Sequence, residues 1–256
     1  MAFENIIFEV KDWVGKITIN KPPSNIMDIK ALNEMIQAME EVKQRQDIKV
    51  LIITGAGDRA FSTGVSVKEH LPDKVEEMIP TFGNLFRTML LLDQPIIAVV
   101  KGHCLGGGCE VACFCDIVIA SEGSQFGQPE IKLGNYAPLA VAVYPRLVGM
   151  KRAFEFLLTG DTIDAKEAQR IGLVNIVVPE TVLEETVDKF VKKLTAHSMV
   201  AIKASKRVIY AGYDVSFEEA MKIAEYTFLN VIAKSKDGVE GLRAFLEKRE
   251  PVWRNE

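Results

Sequence analysis

The sequence predicts a mixed α/β fold with a largely parallel β-sheet covered by helices. In the first half of the chain, short apolar runs typical of buried strands alternate with segments whose apolar residues recur at helical spacing. From about residue 147 to residue 248 nearly every segment is compatible with helix, apart from one strand-like run, Val174–Val178. Strands that alternate with helices favour a parallel sheet, because each parallel pair needs a crossover connection.

The first elements are a β-hairpin and a helix. Residues 6–10 and 14–19 alternate polar and apolar side chains around a turn at Asp12-Trp13. Asp28 is placed to cap the helix that follows. The predicted elements after the hairpin are helix 29–42, strand 50–54, helix 74–92, strand 95–100, a short helix from Gly107 and strand 117–120. The later helices are predicted over residues 151–158, 165–171, 183–194, 199–211, 217–232 and 239–248.

The composition is that of a folded protein, with 256 residues of which 48% are hydrophobic and 26% charged. The formal net charge of -4 supplies no basic field for a polyanion, so nucleic acid is not an expected partner. The first twenty residues lack the basic start and apolar stretch of a secretory signal. The longest apolar run, Ala137–Pro145, has nine residues, whereas a membrane helix needs about 20. We therefore expect a cytoplasmic protein that does not associate with membranes.

All four cysteines fall within twelve residues, at positions 104, 109, 113 and 115. A disulfide framework would spread them more widely along the chain. Metal binding is the alternative, but the spacing does not form paired CxxC motifs and the only nearby histidine is His103. We expect reduced thiols that pack in the core, and no metal site.

Two glycine-rich segments follow predicted strands. GAGDRA, residues 55–60, fits the loose dinucleotide fingerprint, but no helix opens there and no acid ends a second strand about 20 residues later, so a plain loop is favoured. LGGGCE, residues 105–110, opens an apolar helix. The unobstructed N–H of Gly107 can stabilise a developing oxyanion there. The alternative is that these glycines only permit a tight turn and that Glu110 complements the helix dipole or closes a cap.

Glu130 lies twenty residues after Glu110, beyond one predicted strand that can return the chain to the same place. Two carboxyls in a poorly solvated pocket have their pKa values pushed apart, so one can donate a proton while the other accepts one. A glutamate that follows a proline in a loop is also typical of a solvated side chain, and the sequence leaves both interpretations open.

Five segments together resemble the crotonase superfamily of enoyl-CoA hydratases and isomerases. They occur in the family's order and at its spacing: FSTGV at 61–65, LGGGCE at 105–110, CD at 115–116, FGQPE at 126–130 and LTGD at 158–161. The resemblance implies the crotonase (ClpP/crotonase-like) fold of repeated ββα units. It also implies a core with the active site over residues 1–195 and a C-terminal helical oligomerisation region over residues 196–256, in a homotrimer or homohexamer.

The resemblance further implies an acyl-CoA substrate and no cofactor, since coenzyme A enters as part of the substrate. The N–H groups of Val65 and Gly107 correspond to the family's oxyanion hole, which polarises the thioester. Glu110 corresponds to the group that orients and deprotonates water, and Glu130 to the group that delivers a proton to the carbon next to the thioester. The implied substrate-binding residues are Pro23, Ser24, Thr63, Ser66, Val67, Pro129 and Lys248.

The chain departs from the common hydratase pattern at two places. It reads GNYAPLAV over residues 134–141 where those hydratases have Pro-Gly-x-Gly-Gly, and Ser66 replaces a frequent Asp. Residues 61–70, the helix start DKVEEM at 73–78 and the altered segment after Glu130 resemble the cyclohexa-1,5-diene-1-carbonyl-CoA hydratases of anaerobic aromatic degradation. We therefore expect a hydro-lyase that acts on an unsaturated acyl-CoA, with a cyclic dienoyl-CoA as the specific candidate. A double-bond isomerase and a non-catalytic RNA-binding homologue remain the alternatives.

Overall fold

The computed structural model describes residues 3–256. In chain order, the strands are β1 (Ile6–Lys11), β2 (Val14–Ile19), β3 (Val50–Gly55), β4 (Ala60–Ser62), β5 (Ile96–Val100), β6 (His103–Leu105), β7 (Ile117–Ser121), β8 (Gln125–Gly127), β9 (Thr162–Asp164) and β10 (Ile176–Val178). The α-helices are α1 (Ile29–Gln44), α2 (Val75–Leu90), α3 (Gly107–Phe114), α4 (Pro138–Val148), α5 (Met150–Thr159), α6 (Ala165–Arg170), α7 (Leu183–Thr195), α8 (Met199–Gly212), α9 (Phe217–Thr227) and α10 (Lys236–Glu247).

The larger sheet confirms the predicted parallel arrangement. It has six strands in the order β1-β2-β3-β5-β7-β10. Only the hairpin pair β1 and β2 is antiparallel, and its turn places Asp12 and Trp13 at positive φ. Each of the other four neighbouring pairs in the sheet is parallel. Asp28 caps α1 as predicted, because its Oδ1 accepts a hydrogen bond from the N–H of Ala31 at 2.8 Å.

A smaller sheet was not predicted. It has four strands in the order β4-β6-β8-β9, each of three residues. A run of three residues is too short to show a two-residue periodicity, so the sequence pattern could not reveal it. The first three of these strands run parallel, and the chain leaves them toward Val65, Gly107 and Glu130 respectively. The smaller sheet thus brings the predicted site residues to one edge.

The predicted helices are present, with three differences. Helix α4 was missed, because its apolar run includes Pro138 and Pro145, which lower helix propensity. The predicted helix 217–232 divides into α9 and a π-helical turn, Phe228–Ile232. Helix α10 begins at Lys236 and not at residue 239, because Ser235 caps it.

The larger sheet is covered on both faces. One core cluster packs buried residues of α1, α2 and α3 against the sheet. A second cluster packs Leu183, Val187 and Val191 of α7 against side chains of β3 and β5. Within residues 3–256, no helix is long and apolar enough to cross a membrane.

The four cysteines are buried free thiols in the core, as predicted. The Sγ atoms of Cys109 and Cys113 lie 3.9 Å apart on successive turns of α3. The described residues contain no group of three or more His, Cys, Asp or Glu side chains arranged to hold a metal ion. The segment GAGDRA joins β3 to β4 without an intervening helix, which confirms the loop and excludes the dinucleotide-binding geometry.

Candidate active site

The backbone N atoms of Val65 and Gly107 lie close together where β4 and β6 end. A Cβ atom built on Gly107 would lie 3.4 Å from the N atom of Val65, and one built on Gly64 would lie 3.1 Å from the N atom of Gly107. Within residues 3–256, neither the N–H of Val65 nor that of Gly107 donates to a backbone carbonyl. The two donors that the sequence suggested for an oxyanion hole are therefore neighbours.

Gly106 brings the chain close to Glu130. Its φ of 53° lies in the left-handed region, and a Cβ at this position would be 2.7 Å from the Oε1 atom of Glu130. Such a contact would displace the carboxylate. The glycines of LGGGCE therefore do more than permit a turn, because they let the backbone approach the predicted acid.

Glu110 is buried, with 1% of its surface exposed, and it stabilises a different helix from the one that carries it. Its Oε1 atom accepts hydrogen bonds from the N–H groups of Leu139 at 2.8 Å and Ala140 at 2.9 Å, in the first turn of α4. The prediction that Glu110 closes a cap on its own helix is therefore wrong, because its side chain caps α4 and not α3. Burial raises the pKa of Glu110 to about 8, and the charge of Glu130 adds to the increase, while the two backbone donors oppose it.

Glu130 lies in a short 3₁₀-helix, Pro129–Leu133, directly after β8. Burial raises the pKa of its carboxyl to about 7. Its carbonyl oxygen accepts a hydrogen bond from the N–H of Asn135 at 3.1 Å. The side chain of Glu130 is thus partly buried. The charge of Glu130 raises the pKa of Glu110, so the two carboxyls lie close enough to interact, as the intervening strand predicted.

A protein-family model described as Enoyl-CoA hydratase/isomerase matches residues 9–256. The chain belongs to this family. A crotonyl-CoA hydratase from Syntrophomonas wolfei is 37% identical over 255 residues, which cover 97% of each chain. A cyclohexa-1,5-dienecarbonyl-CoA hydratase from Thauera aromatica is 35% identical over 243 residues, which cover 94% of this chain and 92% of that one.

The solved structure of an enoyl-CoA hydratase from Bacillus anthracis superposes with a TM-score of 0.94. That protein is 32% identical, and the match covers 99% of this chain and 100% of the other. These similarities confirm the predicted crotonase fold. The family was recognisable in the sequence from the five motifs.

Most of the substrate-binding residues that the family resemblance implied lie together. The carbonyl of Ser24 accepts hydrogen bonds from the N–H of Thr63 at 3.0 Å and from its hydroxyl at 3.3 Å. Ser66 donates its N–H to the carbonyl of Met27 at 2.8 Å. Segments 23–27 and 63–67 are therefore neighbours. They contain five of the predicted substrate-binding residues: Pro23, Ser24, Thr63, Ser66 and Val67, of which Val67 is exposed.

The remaining two predicted substrate-binding residues are farther apart. Pro129 adjoins Glu130 and so belongs to the site. Lys248 is the exposed C-cap of α10, a helix that packs on α8. Within residues 3–256, none of the hydrogen bonds described for Lys248 reaches the loops 23–27 and 63–67.

Two buried residues at the site were missed as functional candidates. Gln128 lies in the FGQPE motif two residues before Glu130, but an uncharged amide is not a candidate acid or base. Tyr144 is on α4, the helix that was not predicted, and its hydroxyl donates to the carbonyl of Cys109 at 3.1 Å. The signal for Gln128 was its place inside the motif, whereas nothing in the local sequence pointed to Tyr144.

A cavity of about 750 Å³ lies elsewhere. It separates α8 from the C-terminal end of α3 and from α4. Its lining is mainly apolar, and Asp116, Lys206 and Tyr210 form a hydrogen-bonded group on its wall. Neither glutamate of the candidate site lines this cavity.

Proposed function

We propose that this protein is a hydro-lyase that adds water to the double bond of an unsaturated acyl-CoA. The observation that carries the proposal is the placement of Glu110 and Glu130 beside the N–H groups of Val65 and Gly107. Two carboxyls with raised pKa values supply acid and base at neutral pH, and the two N–H groups supply donors for a thioester oxygen.

In the proposed reaction, the thioester oxygen accepts hydrogen bonds from Val65 and Gly107. Glu110 removes a proton from water as the water oxygen bonds to the β-carbon, and the electrons of the double bond move onto the thioester oxygen. The two donors stabilise this enolate charge, and each is worth about 3 to 4 kcal/mol. Glu130 then transfers its proton to the α-carbon, which completes the addition.

The roles require one proton on the pair and place that proton on Glu130. Burial raises the pKa of both carboxyls, to about 8 for Glu110 and about 7 for Glu130, so the pair can hold a proton near neutral pH.

The activity is tested by following the absorbance of the conjugated thioester and the mass of the product. With crotonyl-CoA, the hydratase proposal predicts loss of the absorbance and a product heavier by one water molecule. A product of unchanged mass would instead identify the chain as a double-bond isomerase. If Glu110→Gln and Glu130→Gln both retained the native turnover, the assigned roles would be refuted.

The acyl group is proposed to be a cyclic dienoyl-CoA of anaerobic aromatic degradation. The support comes from the segment that departs from the common hydratase pattern, because it bonds to both glutamates. Asn135 donates to the Glu130 carbonyl, and Leu139 and Ala140 donate to the Glu110 carboxylate. Parallel assays with crotonyl-CoA and cyclohexa-1,5-diene-1-carbonyl-CoA test this, and a higher kcat/KM for the linear thioester would reject the cyclic assignment.

Residues 196–256 are proposed to form subunit contacts in a homotrimer or homohexamer. Large apolar side chains protrude from these helices: Phe217, Tyr226, Phe228, Leu229, Leu242, Phe245 and Leu246. An exposed apolar surface of this kind is typical of a protein interface. Sedimentation analysis tests the assembly. A monomer at micromolar concentration would reject the proposal. Phe245 is 81% exposed, so an unchanged assembly of the variant Phe245→Asp would also reject it.

Lys248 is proposed to supply a cation to the phosphates of coenzyme A, across a subunit interface. Its exposed position at the end of α10 is compatible with contact to a neighbouring subunit. Coenzyme A is proposed to enter as part of the substrate, with no separate cofactor.

A further inference from the structure

The peptide group that contains the N–H of Val65 is held by a β-bridge. The carbonyl oxygen of Gly64 belongs to the same peptide group and accepts a hydrogen bond from the N–H of Met27 at 2.9 Å. The N–H of Ser66 donates to the carbonyl of Met27 at 2.8 Å and completes the bridge. In a planar trans peptide the C=O and N–H bonds point in opposite directions. The N–H of Val65 therefore points away from Met27.

Gly64 does not maintain this orientation by its own backbone preference. Its φ is 103°, and glycine has the widest choice of backbone angles of any residue. A larger residue does not fit, because a Cβ on Gly64 would lie 3.1 Å from the N atom of Gly107. The peptide group between Gly64 and Val65 is therefore free to rotate unless the chain is held on both sides of the glycine. The bridge to Met27 holds one side.

The hydroxyl of Ser62 holds the other side. Its Oγ atom accepts the N–H of Gly64 at 3.1 Å and donates to the carbonyl of Asn25 at 2.8 Å. These directions are fixed by the partners, because a backbone N–H only donates and a carbonyl only accepts. Ser62 is 0% exposed, so water does not compete for either bond.

The anchor for the Ser62 hydroxyl is itself fixed. The Nδ2 group of Asn25 donates to the carbonyls of Ala56 at 2.9 Å and Ala60 at 2.7 Å. Its Oδ1 atom accepts the N–H of Lys21 at 3.1 Å. Asn25 is also 0% exposed, and its side chain bonds only to backbone groups in these contacts. The carbonyl of Asn25 therefore offers Ser62 an acceptor in a constant place.

Ser62 also contacts the segment that contains the second donor. A Cβ built on Gly108 would lie 2.4 Å from the carbonyl oxygen of Ser62 and 2.7 Å from its Cβ. Gly108 directly follows Gly107 in the first turn of α3. Ser62 therefore lies between the loop that contains Val65 and the helix that begins at Gly107.

We propose that Ser62 is a positioning residue that orients the N–H of Val65 toward the thioester oxygen of the substrate. The inference rests on the proposed roles of Val65 and Gly107 as donors to that oxygen. Because Ser62 is fully buried, it acts through Gly64 and not by contact with the substrate. Loss of its hydroxyl leaves a buried N–H and a buried carbonyl without partners, and both tend to reorient to find new ones. The peptide group that follows Gly64 then no longer has a single orientation.

The direct test is difference infrared spectroscopy of [1-¹³C]butanoyl-CoA bound to the full-length protein. This thioester is saturated and cannot be hydrated, so its C=O stretching frequency reports on hydrogen bonds to the oxygen. We expect binding to the native protein to lower that frequency. Ser62→Ala should lose about half of the shift, since one of two donors is misplaced. An undiminished shift in Ser62→Ala would overturn the inference, as would the absence of any shift in the native protein.

Ser124→Ala is the matched control. Ser124 is also 0% exposed, and its hydroxyl bonds to the carbonyl of Val100 at 3.1 Å and the hydroxyl of Ser121 at 2.9 Å, both outside the loop 63–67. This variant should keep the native shift. An equal loss in Ser124→Ala and Ser62→Ala would show a general effect of a missing buried hydroxyl and overturn the inference.

A second variant covers the case in which Ser62→Ala does not fold. Ser62→Cys keeps a weaker acceptor and donor at the same place, so it should lose a smaller part of the shift. A native shift in Ser62→Cys, without a folded Ser62→Ala to compare, would overturn the inference.

Kinetics provide an independent measurement. Loss of a complete oxyanion donor lowers kcat by about 10² to 10³, so Ser62→Ala should lower it by about tenfold to hundredfold. The KM should change little, because the donor acts most strongly on the charge that develops during the reaction. A higher KM with unchanged kcat would contradict the inference. Loss of the infrared shift in Ser62→Ala, combined with no hydration of crotonyl-CoA by the native protein, would support the inference and refute the proposed function alone.

Discussion

The Oε1 atom of Glu110 lies 2.9 Å from the backbone N of Ala140, so the proposed catalytic base also closes the first turn of α4. A carboxylate at a helix N-terminus satisfies donors that have no partner within the helix. The same side chain therefore has a structural role and a proposed chemical one. Substitutions that separate the two roles are available.

Glu110→Gln should preserve the cap and Glu110→Ala should remove it, because only the amide oxygen of Gln can accept the N–H groups of Leu139 and Ala140. Loss of a cap costs about 0.5 to 2 kcal/mol. We expect both variants to lose most of their turnover and only the alanine variant to melt clearly lower at pH 5.5. Equal melting temperatures for the two variants would contradict the capping role.

Stability should depend on pH through the same group. The pKa of Glu110 is about 8 in the folded protein against 4.5 in the reference state, so the folded protein binds more protons between these values. This contribution to stability is present at low pH and is lost as pH rises through 8. The melting temperature of Glu110→Gln minus that of the native protein should therefore increase from pH 5.5 to pH 9. Each kcal/mol of unfolding free energy that the native protein loses should add about 2 to 4 °C to this difference. A constant difference would show that the pKa of Glu110 is not raised.

The pH profile of kcat/KM should be bell-shaped, because the reaction needs one proton on the pair Glu110 and Glu130. Its limbs should lie near pH 7 and 8 and belong to the pair as a whole. In Glu130→Gln, the pKa of Glu110 should fall, since a neighbouring negative charge is gone. ¹³C NMR of labelled glutamate measures that pKa, and an unchanged or higher value would mean that the two carboxyls do not interact.

Gly106→Ala should abolish most of the turnover, because its Cβ would lie 2.7 Å from Oε1 of Glu130. Gly57→Ala is the matched control. Gly57 also has positive φ, at 73°, but a Cβ there meets nothing within 4 Å. Both variants place an alanine at positive φ, which strains the backbone, and only Gly106→Ala should be inactive. Comparable kcat values for the two variants would contradict the close approach of Gly106 to Glu130.

The larger sheet was predictable because its strands are apolar over five or six residues and alternate with amphipathic helices. The smaller sheet was not, because each strand has three residues and its existence depends on pairing between distant segments. The missed sheet matters for function, because Val65, Gly107 and Glu130 follow its strands β4, β6 and β8.

The candidate site was only partly accessible to sequence reasoning. Glu110 and Glu130 were identified as catalytic candidates from the family motifs. The single strand between them predicted that they lie side by side. The hydrogen-bond partners of Glu110 could not be predicted, because they are the N–H groups of Leu139 and Ala140 and the helix that contains them, α4, was not predicted. The contact between Gln128 and Tyr144 could not be predicted either, because Tyr144 lies on the same unpredicted helix.

The most direct measurement is hydration of an unsaturated acyl-CoA in H₂¹⁸O by the native protein and by Glu110→Gln and Glu130→Gln. Mass spectrometry reports whether the product contains one ¹⁸O atom. We predict incorporation of one labelled oxygen by the native protein and a fall in rate of at least a hundredfold for each variant. Turnover by the native protein without ¹⁸O in the product, or native rates in both variants, would contradict the proposed hydration by this pair of carboxyls.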